Sequence, residues 1–308
     1  MKLYSIRDYY MNIKDRNLRV LNFTSWSLNG AVSSLILRAY YPKCKTIFTS
    51  YRKQEEITKL LIEEKEKTDL VIFTNFAPTY NREFYLRYDK PILIFDHHEN
   101  ALWWKSKNSP DFHVHPDYSG AMMVYMYYKR WMADLERYDE VASIADDFEL
   151  WKLNDTRSFH FNTLFWKSES PYEFMRRWSA GGKLCLTDAE KDLLKAHVTE
   201  WKKYYASLPQ LDMEYNGRFI TSNEFHAEIS KQMDMEGVNY FLIYHPKSSY
   251  VTFRSCSAVI DCKEILRDMQ IFTASPKVGV IPCKSVDDAK KICSDIEKRI
   301  VSHLPERA

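Results

Sequence analysis

Four short runs rich in apolar, β-branched and aromatic residues recur through the first hundred positions, at residues 20–23, 46–49, 70–74 and 91–95. Their apolar residues are largely consecutive rather than alternating, which reads as strands buried on both faces. Stretches with helical character separate them, at residues 31–40, 54–67 and 80–87. In the second of these, Ile57, Leu60 and Leu61 share one stripe and acid–base pairs lie outside it. Strand, helix, strand in regular alternation restricts the first half to an α/β fold, a mostly parallel sheet with helices on both faces. Such sheets place their chemistry at the carboxyl ends of the strands.

Composition narrows the function without naming it. There are only seven glycines in 308 residues, and they supply neither a phosphate-cradling loop nor a dinucleotide fingerprint. The net charge of +2 gives no strongly basic face, the electrostatic footprint of a nucleic-acid backbone binder. Aromatic residues make up 15% of the chain and suit core and interface packing ahead of base stacking. No apolar run reaches the ~20 residues of a membrane span, and the N-terminal residues lack a signal-peptide core, so a cytoplasmic protein is expected. The six cysteines form no Cys-x-x-Cys pair and read as reduced thiols.

The fourth apolar run ends in Asp96-His97-His98. A carboxylate beside two imidazoles at a strand end suits Mn²⁺, Zn²⁺ or Fe²⁺. Further along, Asp146 and Asp147 end a helical stretch, and Ser119 is placed to cap another. His113 and His115 fall in a polar loop, residues 99–117, with no evident third ligand.

On these residues the chain resembles the DHH phosphoesterase superfamily of RecJ-like nucleases, oligoribonucleases, nucleotide phosphodiesterases and pyrophosphatases. The resemblance covers about residues 20–281. It implies that Asp96, His97 and His98 are the third of four metal-binding motifs, with Asp146 in the fourth, and a metal set of Asp96, His97 and Asp146. It also implies that the first two motifs have lost their ligands. Thr24 stands where the family has His, Asn29 where it has Asp before Gly30, and Asn75 where a strand should end in Asp. A neutral amide is a poor ligand for a dication that needs anionic oxygen. What remains implies one weakly bound Mn²⁺ or other divalent ion at most.

The second half is expected to form a smaller α+β domain similar to the DHHA1 domain. The chain divides into residues 1–182, a connecting helix over 183–210 and a second domain over 211–308. Thr187 and Glu190 open the helix as a capping box. Arg254 and Ser255 match the family strand that contacts substrate phosphate across a cleft. The family's Gly-Gly-Gly-His loop is replaced by residues 272–276, with Ser275 where imidazole would stand.

The combined expectation is a degenerate phosphoesterase-like protein, a pseudoenzyme that has lost two-metal hydrolysis. It would act by binding a protein or a small phosphate ligand, with nucleic acid behind them and no membrane. The alternative is an active metal-dependent phosphodiesterase or exonuclease with an altered, single-metal site.

Overall fold

A computed structural model of the chain describes residues 13–303 apart from 51, 52, 108, 110 and 276. It divides into two compact units, Met1–Leu194 and Lys195–Ala308, and the division falls inside one long helix, Asp188–Ser207.

The first unit is a five-stranded sheet, β1 (Val20–Ser25), β2 (Lys45–Thr49), β3 (Leu70–Thr74), β4 (Ile92–Asp96) and β5 (Phe112–Val114), in the order β2-β1-β3-β4-β5. Every neighbouring pair is parallel. Successive side chains point to opposite faces, so each strand feeds two cores. Leu70, Ile72, Leu93 and Phe95 meet helices α1 (Leu28–Tyr40), α5 (Gly120–Lys129) and α6 (Asp139–Glu149). Val71, Phe73, Ile92 and Ile94 meet Ile57 and Leu61 of α2 (Gln54–Glu63), Tyr85 of α3 (Arg82–Leu86) and Trp104 of α4 (Leu102–Lys105). Helices α7 (Arg157–Lys167) and α8 (Pro171–Arg177) follow on the first face, and the long helix is α9. The parallel sheet with helices on both faces is thus the architecture expected from the apolar runs. The fifth strand was not: it lies inside the stretch read as a polar loop, and three residues are too few to carry a period.

The second unit is a six-stranded mixed sheet in the order β10-β11-β9-β8-β7-β6. Its strands are β6 (Gln210–Met213), β7 (Gly217–Thr221), β8 (Tyr240–His245), β9 (Tyr250–Ser255), β10 (Thr273–Ala274) and β11 (Val278–Pro282). β7 and β8 run parallel and the other pairs antiparallel. One face is covered by α11 (Cys262–Ile265) and α12 (Val286–His303), whose Ala289, Ile292, Cys293, Ile296 and Ile300 recur at helical spacing. The other carries α10 (His226–Met235) and Trp201 and Tyr205 of α9. Among the described residues no helix is long and apolar enough to cross a membrane. All six cysteines are free thiols.

Candidate metal centre

In the first unit strand order reverses direction between β1 and β3, and the loops leaving their carboxyl ends diverge there, the place where open parallel sheets bind ligands. Ser27 caps α1 by accepting the Gly30 N–H, and Ser119 caps α5 by accepting the Met122 N–H. Both helices therefore begin at the strand ends. Gly120 lets α5 start directly against Asn75: a Cβ there would stand 2.7 Å from the Asn75 nitrogen and 3.1 Å from its Cα.

Asp96 ends β4 with no exposed surface. Its Oδ1 accepts the His97 N–H at 2.9 Å and lies 2.7 Å from His98 Nδ1. Asp96, His97 and His98 offer ligand atoms that all lie within 4.8 Å of one another. The imidazoles are held apart in basicity. Burial, helped by neighbouring His98, pushes His97 below its ordinary value, although Glu149, Asp96 and Asp146 oppose this. Burial also acts to lower His98, but the Asp96 carboxylate outweighs it and the net displacement is upward. Burial thus favours the neutral form of His97, the form that ligates metal, and its Nδ1 is buried without a hydrogen-bond partner. This donor set could hold a divalent ion.

The positions where the resemblance implies lost ligands lie in the same region and are occupied by protein contacts. Thr24 Oγ1 donates to the Thr74 carbonyl at 2.9 Å. Asn29 Oδ1 accepts the Ala121 N–H at 2.8 Å, and its Nδ2 has no partner. Asn75, in a left-handed conformation with φ 52°, donates from Nδ2 to the hydroxyls of Ser25 at 2.6 Å and Ser27 at 3.1 Å. All three side chains are buried and uncharged. They offer no anionic oxygen, the donor a hard dication prefers.

Asp146, expected to join Asp96 and His97, lies outside their tight group. Its Oδ1 accepts the Ser119 N–H at 2.6 Å and its Oδ2 is 2.6 Å from Lys152 Nζ. Asp147 acts locally, accepting the N–H groups of Asn154 and Asp155 and closing the turn after α6. Two residues that the sequence did not single out belong to this region. Glu149 reaches 3.7 Å from His97 Nε2, and Lys152 pairs with Asp146. Glu149 could have been found, since it stands three residues after Asp146 on one helix face. Lys152 could not, because it follows the helix. The loop histidines take no part in the tight group: His113 sits in β5 stacked on Phe95, and His115 accepts the Asp117 N–H.

In the second unit Arg254 is half-buried. Burial depresses its basicity, and Asp234 of α10 acts against that. Ser255 is buried, and its hydroxyl donates to the Ser257 carbonyl. Residues 273 and 274 form a strand against Val280 and Gly279 rather than an open loop. Ser275 closes that hairpin by accepting the Val278 N–H.

No family profile matches the chain, and no curated protein matches it. Solved structures do. A DHH domain described as a member of an s1p family of ribosomal proteins superposes with TM-score 0.65 at 13% identity, over 95% of this chain and 88% of that one. RecJ from Thermus thermophilus, in complex with Mn²⁺, gives 0.59 at 14% identity, over 96% of this chain and 54% of that one. A pGpG-specific phosphodiesterase from Vibrio cholerae gives 0.55 at 14% identity, over 92% and 100%. The chain has the fold of the DHH superfamily.

Proposed function

We propose that this protein is a DHH-fold protein that has lost two-metal phosphodiester hydrolysis and acts by binding. The observation that carries the reading is the triplet Thr24, Asn29 and Asn75, buried, neutral and engaged with protein neighbours. Two-metal hydrolysis needs ions ~4 Å apart that clamp the attacking and leaving oxygens. Losing one ion removes several kcal/mol of charge stabilisation, and each ~1.4 kcal/mol is a factor of ten in rate. Ser275, tied into a hairpin, supplies no imidazole in place of the family's loop.

The RecJ and phosphodiesterase neighbours make a nucleic-acid strand or a nucleotide candidate partners. The net charge of +2, and Asp234 beside Arg254, favour a protein or a small phosphate ligand over a long polyanion. Arg254 and Ser255 are the residues assigned to a phosphate ligand in the second unit. Six free thiols favour a reducing compartment, in keeping with a cytoplasmic site of action.

The retained group of Asp96, His97 and His98 favours a second reading, a phosphodiesterase working with one Mn²⁺. When bound, the ion would polarise a phosphoryl oxygen. The two readings separate in one assay, in which pGpG, short oligonucleotides and pyrophosphate are each incubated with the protein and Mn²⁺. The expected outcome is release at the buffer background. Turnover that requires metal and vanishes in Asp96→Ala and His97→Ala establishes the second reading instead.

A further inference from the structure

The pairing of Asp146 with Lys152 joins a buried carboxylate to a lysine whose side chain keeps 38% of its surface exposed, and the backbone aims that lysine at its partner. Helix α6 ends at Glu149, and a hydrogen-bonded turn follows it. Trp151 and Leu153, which flank Lys152, both adopt left-handed backbone conformations, with φ 54° and 52°. Neither is glycine, so each costs conformational strain that the surroundings must hold in place. They are held by Asp147: its carbonyl accepts the Lys152 and Leu153 N–H groups, and its carboxylate accepts those of Asn154 and Asp155. The result is that Lys152, six residues after Asp146 and past the end of its helix, turns back onto it.

The ammonium that arrives there is well provided for. Lys152 Nζ lies 2.6 Å from Asp146 Oδ2, 3.3 Å from the Asp117 carbonyl oxygen and 6.0 Å from the Tyr118 ring centre. Asp146 is 5% exposed and takes its other hydrogen bond from the Ser119 N–H at the start of α5. Both carboxylate oxygens of Asp146 are thus already engaged by protein groups. A dication on Asp146 would therefore have to displace an ammonium already there, or sit beside it and be repelled.

We propose that Lys152 is the resident cation of this half of the site: its ammonium stands on Asp146 in place of a divalent ion. Lysine suits this role because it is a compact point charge on a flexible stem, with three donors and a covalent tether to the chain. The pocket then keeps its carboxylate neutralised without metal, and divalent ions are confined to Asp96, His97 and His98. This rests on the loss of two-metal hydrolysis proposed above and on the resemblance that implies Asp146 as a metal ligand, and it extends that reading from ligands lost to a cation gained.

The test is a Mn²⁺ titration followed by the electron paramagnetic resonance of free Mn²⁺. The proteins compared are the wild-type chain, Lys152→Gln, Lys152→Arg, and the double variant Lys152→Gln with Asp146→Asn. The wild-type chain and Lys152→Arg are expected to bind no more than one ion. Lys152→Gln should bind Mn²⁺ at least tenfold more tightly or take up an additional equivalent, and Asp146→Asn in the double variant should abolish that gain. If Lys152→Gln folds only when Mn²⁺ is added, the inference is supported in the same way. Failure to fold with or without Mn²⁺ counts against it. Two ions in the wild-type chain, or Lys152→Gln binding Mn²⁺ as the wild type does, overturns it. Hydrolysis by a wild-type protein holding one ion would overturn the proposed loss of activity and leave the role of Lys152 standing.

Discussion

Restoring a single family-like charge, Asn29→Asp, probes whether the pocket is arranged to do without metal. Asn29 has no exposed surface; its Oδ1 accepts the Ala121 N–H, and its Nδ2 bonds to nothing. Aspartate keeps the accepting oxygen and sacrifices no hydrogen bond, so the exchange adds one buried negative charge and little else. Full burial raises a carboxyl by up to about 3–5 units, and a shift of ~3 takes the folded-state value from ~3.9 to ~7. At ~1.36 kcal/mol per unit the loss of stability above that pH is about 4 kcal/mol, out of a typical total of about 5–15 kcal/mol. The sign follows from which state holds the proton. Below ~3.9 the group is protonated folded and unfolded, and nothing is lost; the deficit grows as pH rises and is complete above ~7. Mn²⁺ at a hundredfold excess over its Kd should return about 2.7 kcal/mol to the variant. Urea unfolding followed by circular dichroism from pH 4 to pH 8, with and without Mn²⁺, measures both effects. A variant as stable as the wild type at pH 8 without metal refutes the reasoning. So does a wild-type chain that Mn²⁺ stabilises as much as the variant.

Two further outcomes test the scaffold around the site. Gly120→Ala should lower the urea midpoint by the equivalent of about 1–3 kcal/mol, because the added methyl meets the Asn75 backbone at 2.7 Å; this outweighs the gain of up to ~1 kcal/mol in helix propensity. An unchanged midpoint would mean that α5 shifts freely. His245, buried between His226 and Thr252, is pushed down to about 3, first by burial and then by His226. As a base depressed on folding, it contributes stability that is fully present above ~6.5 and lost as pH falls from there toward 3. His245→Gln should flatten acid unfolding over that window by on the order of a few kcal/mol; an acid limb identical to the wild type's would show that the titration belongs to other groups.

Much of this protein is legible in its sequence because the relevant information is local. Consecutive apolar residues fix strands buried on both faces, and their alternation with helices fixes the parallel sheet. Asp96, His97 and His98 are adjacent in the chain, so a strand end brings them together without help. Ser119 and the Thr187/Glu190 capping box are likewise read from neighbours a few positions away, and both caps form. Asn29 and Asn75 could be read as neutral, but not what their amides do: the Asn29 bond to the Ala121 N–H joins residues 92 positions apart. Strand β5 was missed because three residues paired to an existing sheet need no pattern of their own. Lys152 was missed for a different reason. Its place on Asp146 depends on two strained backbone conformations after a helix, which no periodicity predicts and which persist only because Asp147 holds the turn. Residue types and chain neighbours determined the sheet and the grouping of Asp96, His97 and His98. Only tertiary structure decided which cation stands on Asp146, because that choice is made by contacts that exist once the chain has folded.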